Sequence, residues 1–314
     1  MSKDTRTLTE GAVLAALTVL IATIYIYIPL PLLVAVPLPL LILTYRHGMR
    51  AAIPVAFVAA LLAGLVSHFV QGVILVLTMG ALGLTLGEGL RQKFKPVSIV
   101  LMGTAVMFIV SVATFYLTLW ITGINSLEML VKSFTQSLTQ VQSLYQRIGV
   151  DPAVTPYTPE EYGNMIRMIF PATLLMSSAV LSCLTYWLGG LVLGKLGSSI
   201  PAFPRFKDWI FPKWLGFSIL ILLLASPILN QQLPLAASIV ANLVLIGSFL
   251  LVVEGLALTW SLITRLTVGK GVKVLLLVVV FFMAAPLLIW VGFADNFADF
   301  RSLRRTPGES YFKG

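Results

Sequence analysis

The sequence predicts an all-α protein, a polytopic bundle of transmembrane helices. Of its 314 residues, 58% are hydrophobic and only 11% are charged, and the mean hydropathy is +0.98. These values lie far outside the range of soluble globular domains. The charged residues also gather in short groups between long apolar runs, as the topology of a membrane protein requires. The formal charge of +9 therefore reflects membrane orientation, and we expect no nucleic-acid partner.

About nine apolar segments are candidate membrane helices, since a helix crosses the hydrocarbon core in about 20 residues. They cover residues 8–28, 33–45, 51–66, 69–90, 96–121, 165–196, 214–229, 235–264 and 272–292. The second and third segments are short, and Pro37, Pro39 and Pro54 interrupt them. Such segments are either tilted helices or half-helices whose irregular backbone is covered by protein or by a cavity.

The basic residues between the segments give the orientation. The short turn Arg46-His47-Gly48-Met49-Arg50 carries two fixed positive charges, which stay on the cytoplasmic side of a membrane. We therefore expect a multi-pass protein of the bacterial cytoplasmic (plasma) membrane with a cytoplasmic amino terminus. An odd number of crossings would place Arg301 outside. Either residues 284–286 turn the last segment back, or one earlier segment does not cross, or the tail departs from the rule.

One long polar excursion, residues 125–163, is expected on the outer side. Its apolar residues recur at three- and four-residue intervals over 126–148, which is typical of an amphipathic helix on the membrane surface. Thr158 as N-cap, Pro159 at the first helical position and Glu161 in a capping box then predict the start of the sixth membrane helix.

A proline-rich, charged stretch at 197–213 divides the chain. We expect a membrane core over residues 1–196, a cytoplasmic linker over 197–213, and additional membrane helices with an amphipathic tail over 214–314.

Five side chains near the expected outer ends of the segments are candidates for binding a solute: Tyr25, His68, Gln71, Trp120 and Arg167. A solute pocket needs a few convergent polar groups within an apolar, aromatic wall. Tyrosine and tryptophan also anchor helices at the headgroup level, which explains the aromatic residues equally well.

Glu254 is a candidate proton or cation site. It lies eleven residues before Arg265, or about 16 Å along a helix, near the middle of the membrane. A carboxylate there must be protonated, paired or directed into a cavity. A neutral, hydrogen-bonded acid that stabilises the bundle is the alternative. Glu88, by contrast, is expected to pair with Arg91 at a helix end.

No motif for catalysis or nucleotide binding is present, so we expect no enzymatic activity, no catalytic residue and no cofactor. Two histidines are too few and too far apart for a metal site, and the single Cys183 excludes a disulfide within one chain. Asp295 and Asp299 share one helix face, which favours pairing with arginine at an interfacial helix end over metal binding.

Ala12 and Ala16 in the first segment form a pair of small residues four positions apart. Such spacing lets another helix approach closely in a membrane. Ordinary packing within the chain is the alternative.

The order of these features resembles a class of transporters. The small-residue first helix, the proline-broken stretch, residues 43–52, the glycine-rich helix 80–89 and the basic stop 91–95 resemble the amino-terminal half of the substrate-binding S components of energy-coupling-factor (ECF) vitamin transporters. Over its full length, with Phe211-Pro212-Lys213-Trp214, Glu254-Gly255-Leu256-Ala257 and the ending 292–301, the chain resembles the YybS-like family of uncharacterised bacterial membrane proteins.

S components are six-helix membrane proteins that bind a vitamin or metal from outside and meet a coupling protein through an Ala-x-x-x-Ala motif in the first helix. The resemblance therefore implies an S-component-like six-helix core and a coupling protein with paired ATPases as partners. It implies Ala12 and Ala16 as the partner contact. The three extra segments and the long outer helix depart from that pattern.

We expect a protein that is surrounded by membrane lipid, binds an unknown small solute from outside and imports it with partner subunits. The alternative is a non-transporting membrane scaffold, in which the 126–148 helix and the tail recruit other envelope proteins.

Overall fold

The computed structural model describes residues 3–28, 31–149, 157–198, 200–232 and 234–298. Within these ranges the regular structure is helical, with no strand. The α-helices are α1 Lys3–Tyr27, α2 Leu38–His47, α3 Met49–Val66, α4 Phe69–Arg91, α5 Pro96–Thr122, α6 Ser126–Arg147, α7 Pro159–Lys195, α8 Trp214–Gln232, α9 Pro234–Ile263 and α10 Lys270–Ala298. The predicted all-α helix bundle is therefore confirmed.

Every predicted membrane segment is helical, but the helices differ in length. In the described part of the chain, seven are long and apolar enough to cross a membrane: α1, α3, α4, α5, α7, α9 and α10. The other two predicted segments are the shorter apolar helices Leu32–His47 and Trp214–Ser226. The chain is therefore a multi-pass membrane protein.

The helices form two compact units. The first contains Met1–Arg167 and Thr173–Phe203, and the second contains Met168–Ala172 and Pro204–Gly314. Residues 299–314, which include Asp299 and Arg301, lie outside the described ranges, so the predictions made for them remain predictions.

In the first unit, α2 is a ten-residue helix buried against α4. Leu40, Leu41 and Leu43 are fully buried. A β-carbon at Gly83 of α4 would lie 3.2 Å from the Leu41 nitrogen, and one at Gly87 would lie 2.6 Å from the Leu41 oxygen. The glycines of α4 thus let the backbone of α2 approach closely. With only ten residues, α2 is a half-helix covered by protein, one of the two alternatives predicted for this segment.

The basic turn between α2 and α3 is bonded to α1. His47 Nε2 lies 2.7 Å from Glu10 Oε2, and Arg46 Nη1 lies 3.6 Å from Glu10 Oε1. Gly48 separates α2 from α3 with φ = +84°, a conformation that side-chain-bearing residues rarely adopt. The chain therefore changes direction at this turn, and the His47 and Arg46 side chains bond the turn to α1.

The same turn is bonded to the end of α4. The backbone N–H of Met49 donates to Glu88 Oε2 at 3.2 Å, and Arg91 Nη1 donates to Glu88 Oε1 at 3.3 Å. The predicted pairing of Glu88 with Arg91 is confirmed. Glu88 thus links α4 to the start of α3.

The predicted amphipathic helix is α6, capped by Asn125, whose side chain accepts from the N–H groups of the first turn. It packs on the beginning of α7, where a β-carbon at Gly163 would lie 3.0 Å from the Val131 side chain. The capping box predicted at Thr158 and Glu161 is present. Val131 is the residue of α6 that becomes buried, and most other apolar side chains of this helix are exposed.

In the second unit, an asparagine bridges a proline-interrupted stretch of helix. Pro171 has no N–H and disturbs the hydrogen bonds around residues 168–172 of α7. Asn242 of α9 bonds to both ends of this stretch. Its Nδ2 donates to the Met168 carbonyl at 2.7 Å, and its Oδ1 accepts from the Ala172 N–H at 2.8 Å. The side-chain amide thus adds hydrogen bonds to α7 in the stretch where Pro171 removes one.

The last helix of the second unit is kinked. Within α10, Ala284 has non-helical dihedral angles (φ −127°, ψ 21°) two residues before Pro286. A turn-back at residues 284–286 was one of three alternatives for the end of the chain; these residues bend the helix, and α10 continues through them to Ala298.

Candidate functional site

Three polar side chains are fully buried in the second unit: Glu254 on α9, and Asp295 and Asn296 on α10. Their exposed fractions are 0%, 1% and 1%. Glu254 is the only charged residue of α9, and Asp295 is the only acidic residue of α10. Ionisable residues inside membrane helices are costly and mark functional sites by default. We call these three residues the Glu254 cluster.

Asn296 joins the elements around the cluster. Its Nδ2 faces the carbonyl of Phe211 at 3.0 Å, the carboxylate of Glu254 at 3.2 Å and the carbonyl of Pro212 at 3.4 Å. Three acceptors thus share two N–H hydrogens. Its Oδ1 is buried without a hydrogen-bond partner among the described residues, and a β-carbon at Gly216 of α8 would lie 3.0 Å from it. One amide therefore connects α9, α10 and the chain before α8.

Two glycines bring α9 and α10 together beside the cluster. A β-carbon at Gly255 would contact the Leu288 carbonyl and lie 3.1 Å from the Gly292 nitrogen. A β-carbon at Gly292 would contact the Leu251 carbonyl. The two backbones touch, as small residues allow in membrane helix pairs. This close crossing keeps the neighbouring polar side chains away from the surface.

Sequence reasoning named Glu254 as a candidate and did not name Asn296. The sequence did contain an indication that these two residues lie at a close helix crossing, because Gly255 follows Glu254 and Gly292 lies one turn before Asn296. Residue counting predicts that Glu254 lies near the middle of the membrane, and its contact with Asn296 connects it to the chain that leads into α8.

The acidic residues do not assemble a multi-ligand metal site in the described part of the chain. No group of three or more histidine, cysteine, aspartate or glutamate side chains is placed to hold a metal ion there. Of the pair Asp295 and Asp299, only Asp295 is described. The Glu254 cluster offers instead two carboxyl groups and one amide.

The residues predicted to bind a solute lie in the first unit. Tyr25 is half-buried against the core, whereas His68 and Gln71 at the start of α4 are exposed. The Tyr27 ring lies 6.3 Å from the His68 ring, so the end of α1 meets the start of α4. Trp120, near the end of α5, is 81% exposed. The solute-binding role of these residues remains a prediction.

Arg167, the fifth predicted ligand, is bonded to protein groups. Its Nε and Nη2 each donate to Glu128 of α6 at 2.8 Å, and its Nη1 donates to Asn164 at 2.9 Å. These bonds hold the pKa of the Glu128 carboxyl below its ordinary value. An anionic group of a solute would have to replace Glu128 to reach this guanidinium.

The small residues of α1 divide between two faces. Gly11, Ala15 and Ala22 are buried against the first unit, whereas Ala12 and Ala16 are exposed. Packing within the described chain therefore uses the neighbouring small residues and leaves the Ala12 and Ala16 pair on the outside. This face can receive a second membrane helix or lipid.

Comparison with known proteins gives a family. No solved structure matches the chain. The "Uncharacterized protein YybS" of Bacillus subtilis (strain 168) is 26% identical over 298 residues, which is 92% of this chain and 96% of that protein. The profile of the family described as "Predicted membrane protein (DUF2232)" matches residues 16–295. The chain therefore belongs to the DUF2232 family of membrane proteins.

Proposed function

We propose that the protein is a solute-binding subunit of an importer in the bacterial plasma membrane, with its amino terminus in the cytoplasm. It takes a small solute from outside and transfers it with an ECF-type coupling protein and ATPases, so it is not itself an enzyme. The resemblance of the first six segments to S components suggests this function.

The outward-facing pair on α1 is the observation that carries the proposal. Ala12 and Ala16 are exposed, and the small residues that pack α1 inside the unit are different ones. A membrane helix associates through close packing, because lipid tails give no hydrophobic reason for contact. A small-residue face that the chain does not use itself therefore fits a partner helix.

The positions of the predicted ligands along their helices support the proposed solute site. Tyr25 lies near the end of α1, His68 and Gln71 at the start of α4, and Trp120 near the end of α5. The ring contact of Tyr27 with His68 joins two of these ends. The short connection from α4 to α5 brings the end of α5 back to the level where α4 begins. A solute bound at these helix ends would meet aromatic and polar groups, as such pockets require.

Affinity purification from the native host tests the proposal. The full-length protein is solubilised gently, and mass spectrometry identifies the proteins and small molecules that accompany it. We expect a membrane coupling protein and ATPases with the wild type, and their loss from the double variant Ala12→Leu/Ala16→Leu. The matched control is Val13→Leu, which changes another exposed position of the same helix and should keep the partners.

Two results contradict the import function. One is a preparation without a coupling protein, an ATPase or a bound solute. The other is retention of the same partners by the Ala12→Leu/Ala16→Leu variant. Other envelope proteins that bind wild type and variant equally, and are released when residues 126–148 are replaced by a short linker, would favour the scaffold function.

A further inference from the structure

The turn from α4 to α5 ends α4 with a lysine in a position that normally holds glycine. The Lys93 N–H donates to the Leu90 carbonyl and the Phe94 N–H to the Gly89 carbonyl, both at 3.1 Å. This pair of bonds is the Schellman arrangement, in which the residue after the helix cap is usually glycine. Lys93 has φ = +58° there, which costs backbone free energy that a glycine would avoid. A strained residue of this kind indicates a function for its side chain.

Exposed cations surround this turn. Arg91 is bonded to Glu88 at 3.3 Å, and half of its side chain remains exposed. Its guanidinium lies against the turn at Gly48, where a β-carbon would lie 2.8 Å from Nη1, and Arg50 follows two residues later. The exposed cations of this patch are Arg50, Arg91, Lys93 and Lys95.

The patch has a net positive charge. Residues 7–122 contain two acidic side chains, Glu10 and Glu88. Glu10 is bonded to the turn between α2 and α3, and Glu88 is bonded to Arg91 and to the start of α3. Lys93 and Lys95 have no acidic partner among the described residues. An anionic ligand would therefore complement the charge of this patch.

An exposed apolar strip begins at the same turn and continues along α5. Phe94, between the two lysines, is 39% exposed. Val97 and Leu101 are also exposed, and they lie four residues apart on one face of the helix. In a membrane protein such a face contacts acyl chains, and lysines at the end of the helix extend to the lipid headgroups. The cations and the strip match the two parts of a phospholipid.

A phospholipid fits this surface better than a free anion does. Inorganic phosphate or a nucleotide would contact the cations and leave the apolar strip unused. The other ends of these helices show the contrast, because the connection from α3 to α4 and residues 119–125 contain no lysine, arginine, aspartate or glutamate. Lipid is in contact with both ends, and one end alone carries fixed positive charges for its headgroup.

We propose that the turn from α4 to α5 binds the phosphate headgroup of an anionic phospholipid, with Lys93 and Lys95 as direct ligands. The acyl chains lie along Val97 and Leu101, and the Phe94 ring lies at the boundary between headgroups and acyl chains. Each lysine near a negatively charged headgroup layer strengthens binding about fivefold. The lipid contact explains why a lysine and not a glycine ends α4.

Native mass spectrometry of the full-length protein in a neutral detergent tests this site. Phosphatidylglycerol, which is anionic, or phosphatidylcholine, which has no net charge, is added in equal amounts, and the bound lipid is counted. We expect the wild type to retain phosphatidylglycerol preferentially, and Lys93→Gly to retain about fivefold less of it. Lys95→Gln should show the same loss, whereas Lys93→Arg keeps the charge and should bind as the wild type does.

Two controls separate this site from general charge and from folding. Lys132→Gln removes an exposed lysine of α6 and should leave lipid retention unchanged. Without added lipid, Lys93→Gly should unfold at a higher fraction of denaturing detergent than the wild type, because glycine adopts a positive φ without strain. A lower lipid affinity in a more stable protein cannot result from a damaged fold.

Equal retention of the two lipids by the wild type would overturn the proposal, as would full retention of phosphatidylglycerol by Lys93→Gly and Lys95→Gln. An equal loss in Lys132→Gln would show that positive charge acts without a specific site. Displacement of the lipid by inorganic phosphate at constant ionic strength would assign the cations to a free anion instead. The test involves no coupling protein and no solute, so failure of the import function leaves the lipid site standing, and the reverse also holds.

Discussion

Removal of the Asn242 side chain should weaken the second unit by an amount that can be estimated from its hydrogen bonds. The amide makes two bonds to the proline-interrupted stretch of α7, to the Met168 carbonyl at 2.7 Å and from the Ala172 N–H at 2.8 Å. Side-chain hydrogen bonds between membrane helices contribute roughly 0.6 kcal/mol each on average and at most about 1.7. Asn242→Ala should therefore lower the free energy of unfolding by about 1 to 3 kcal/mol.

The assay is titration of the purified protein with a denaturing detergent in mixed micelles, followed by circular dichroism. Asn242→Leu keeps the branching and the number of non-hydrogen atoms of the side chain but removes its hydrogen bonds, so it should lose a similar amount. Gln71→Ala, which changes an exposed polar residue, should leave the transition unchanged.

A double variant sharpens the test. With Pro171→Ala the helix regains an N–H that can donate to the Arg167 carbonyl, so the 168–172 stretch depends less on Asn242. Asn242→Ala should therefore cost less in that background than in the wild type. A leucine variant as stable as the wild type would refute the role given to the amide. An equal cost in the two backgrounds would refute its link to Pro171.

Two further predictions concern the glycine crossing and the outer helix. Gly292→Ala should cost about 1 to 3 kcal/mol in the same titration, because its β-carbon would contact the Leu251 carbonyl, whereas Gly271→Ala meets nothing within 4 Å and should cost nothing. The pKa of Glu128 is lowered by Arg167, so the pairing of α6 with α7 is complete above the ordinary range of a glutamate and is lost as the pH falls through the lowered value. Hydrogen exchange of α6 should therefore accelerate in acid; Glu128→Gln should exchange fast at every pH, and Glu160→Gln should behave as the wild type. A wild-type α6 whose exchange ignores acid would contradict the second prediction.

The helices were predictable because apolar length is a local property. The predicted segment 69–90 became Phe69–Arg91, and 96–121 became Pro96–Thr122. The capping box at Thr158 and the pairing of Glu88 with Arg91 were also predictable, since each joins residues three positions apart.

The faces and partners of the helices were not predictable in the same way. Membrane helices are apolar all round, so hydropathy cannot tell that Ala15 faces the core while Ala16 faces outward. The bonds from Asn296 to Glu254 and from Asn242 to Met168 join residues 42 and 74 positions apart. Only the packing of whole helices brings such residues together. The placement of Arg167 against Glu128 depends on α6 in the same manner.

The bonding of the turn around Gly48 has a consequence for the order of synthesis. His47 contacts Glu10, made 37 residues earlier, whereas Met49 binds Glu88, made 39 residues later. As the chain leaves the ribosome, the partner on α1 is already present and the partner on α4 does not yet exist. The contacts of His47 and Arg46 with Glu10 of α1 can therefore form before α4 is synthesised. When α4 is synthesised afterwards, Glu88 can accept the hydrogen bond from the Met49 N–H of a turn that has already formed.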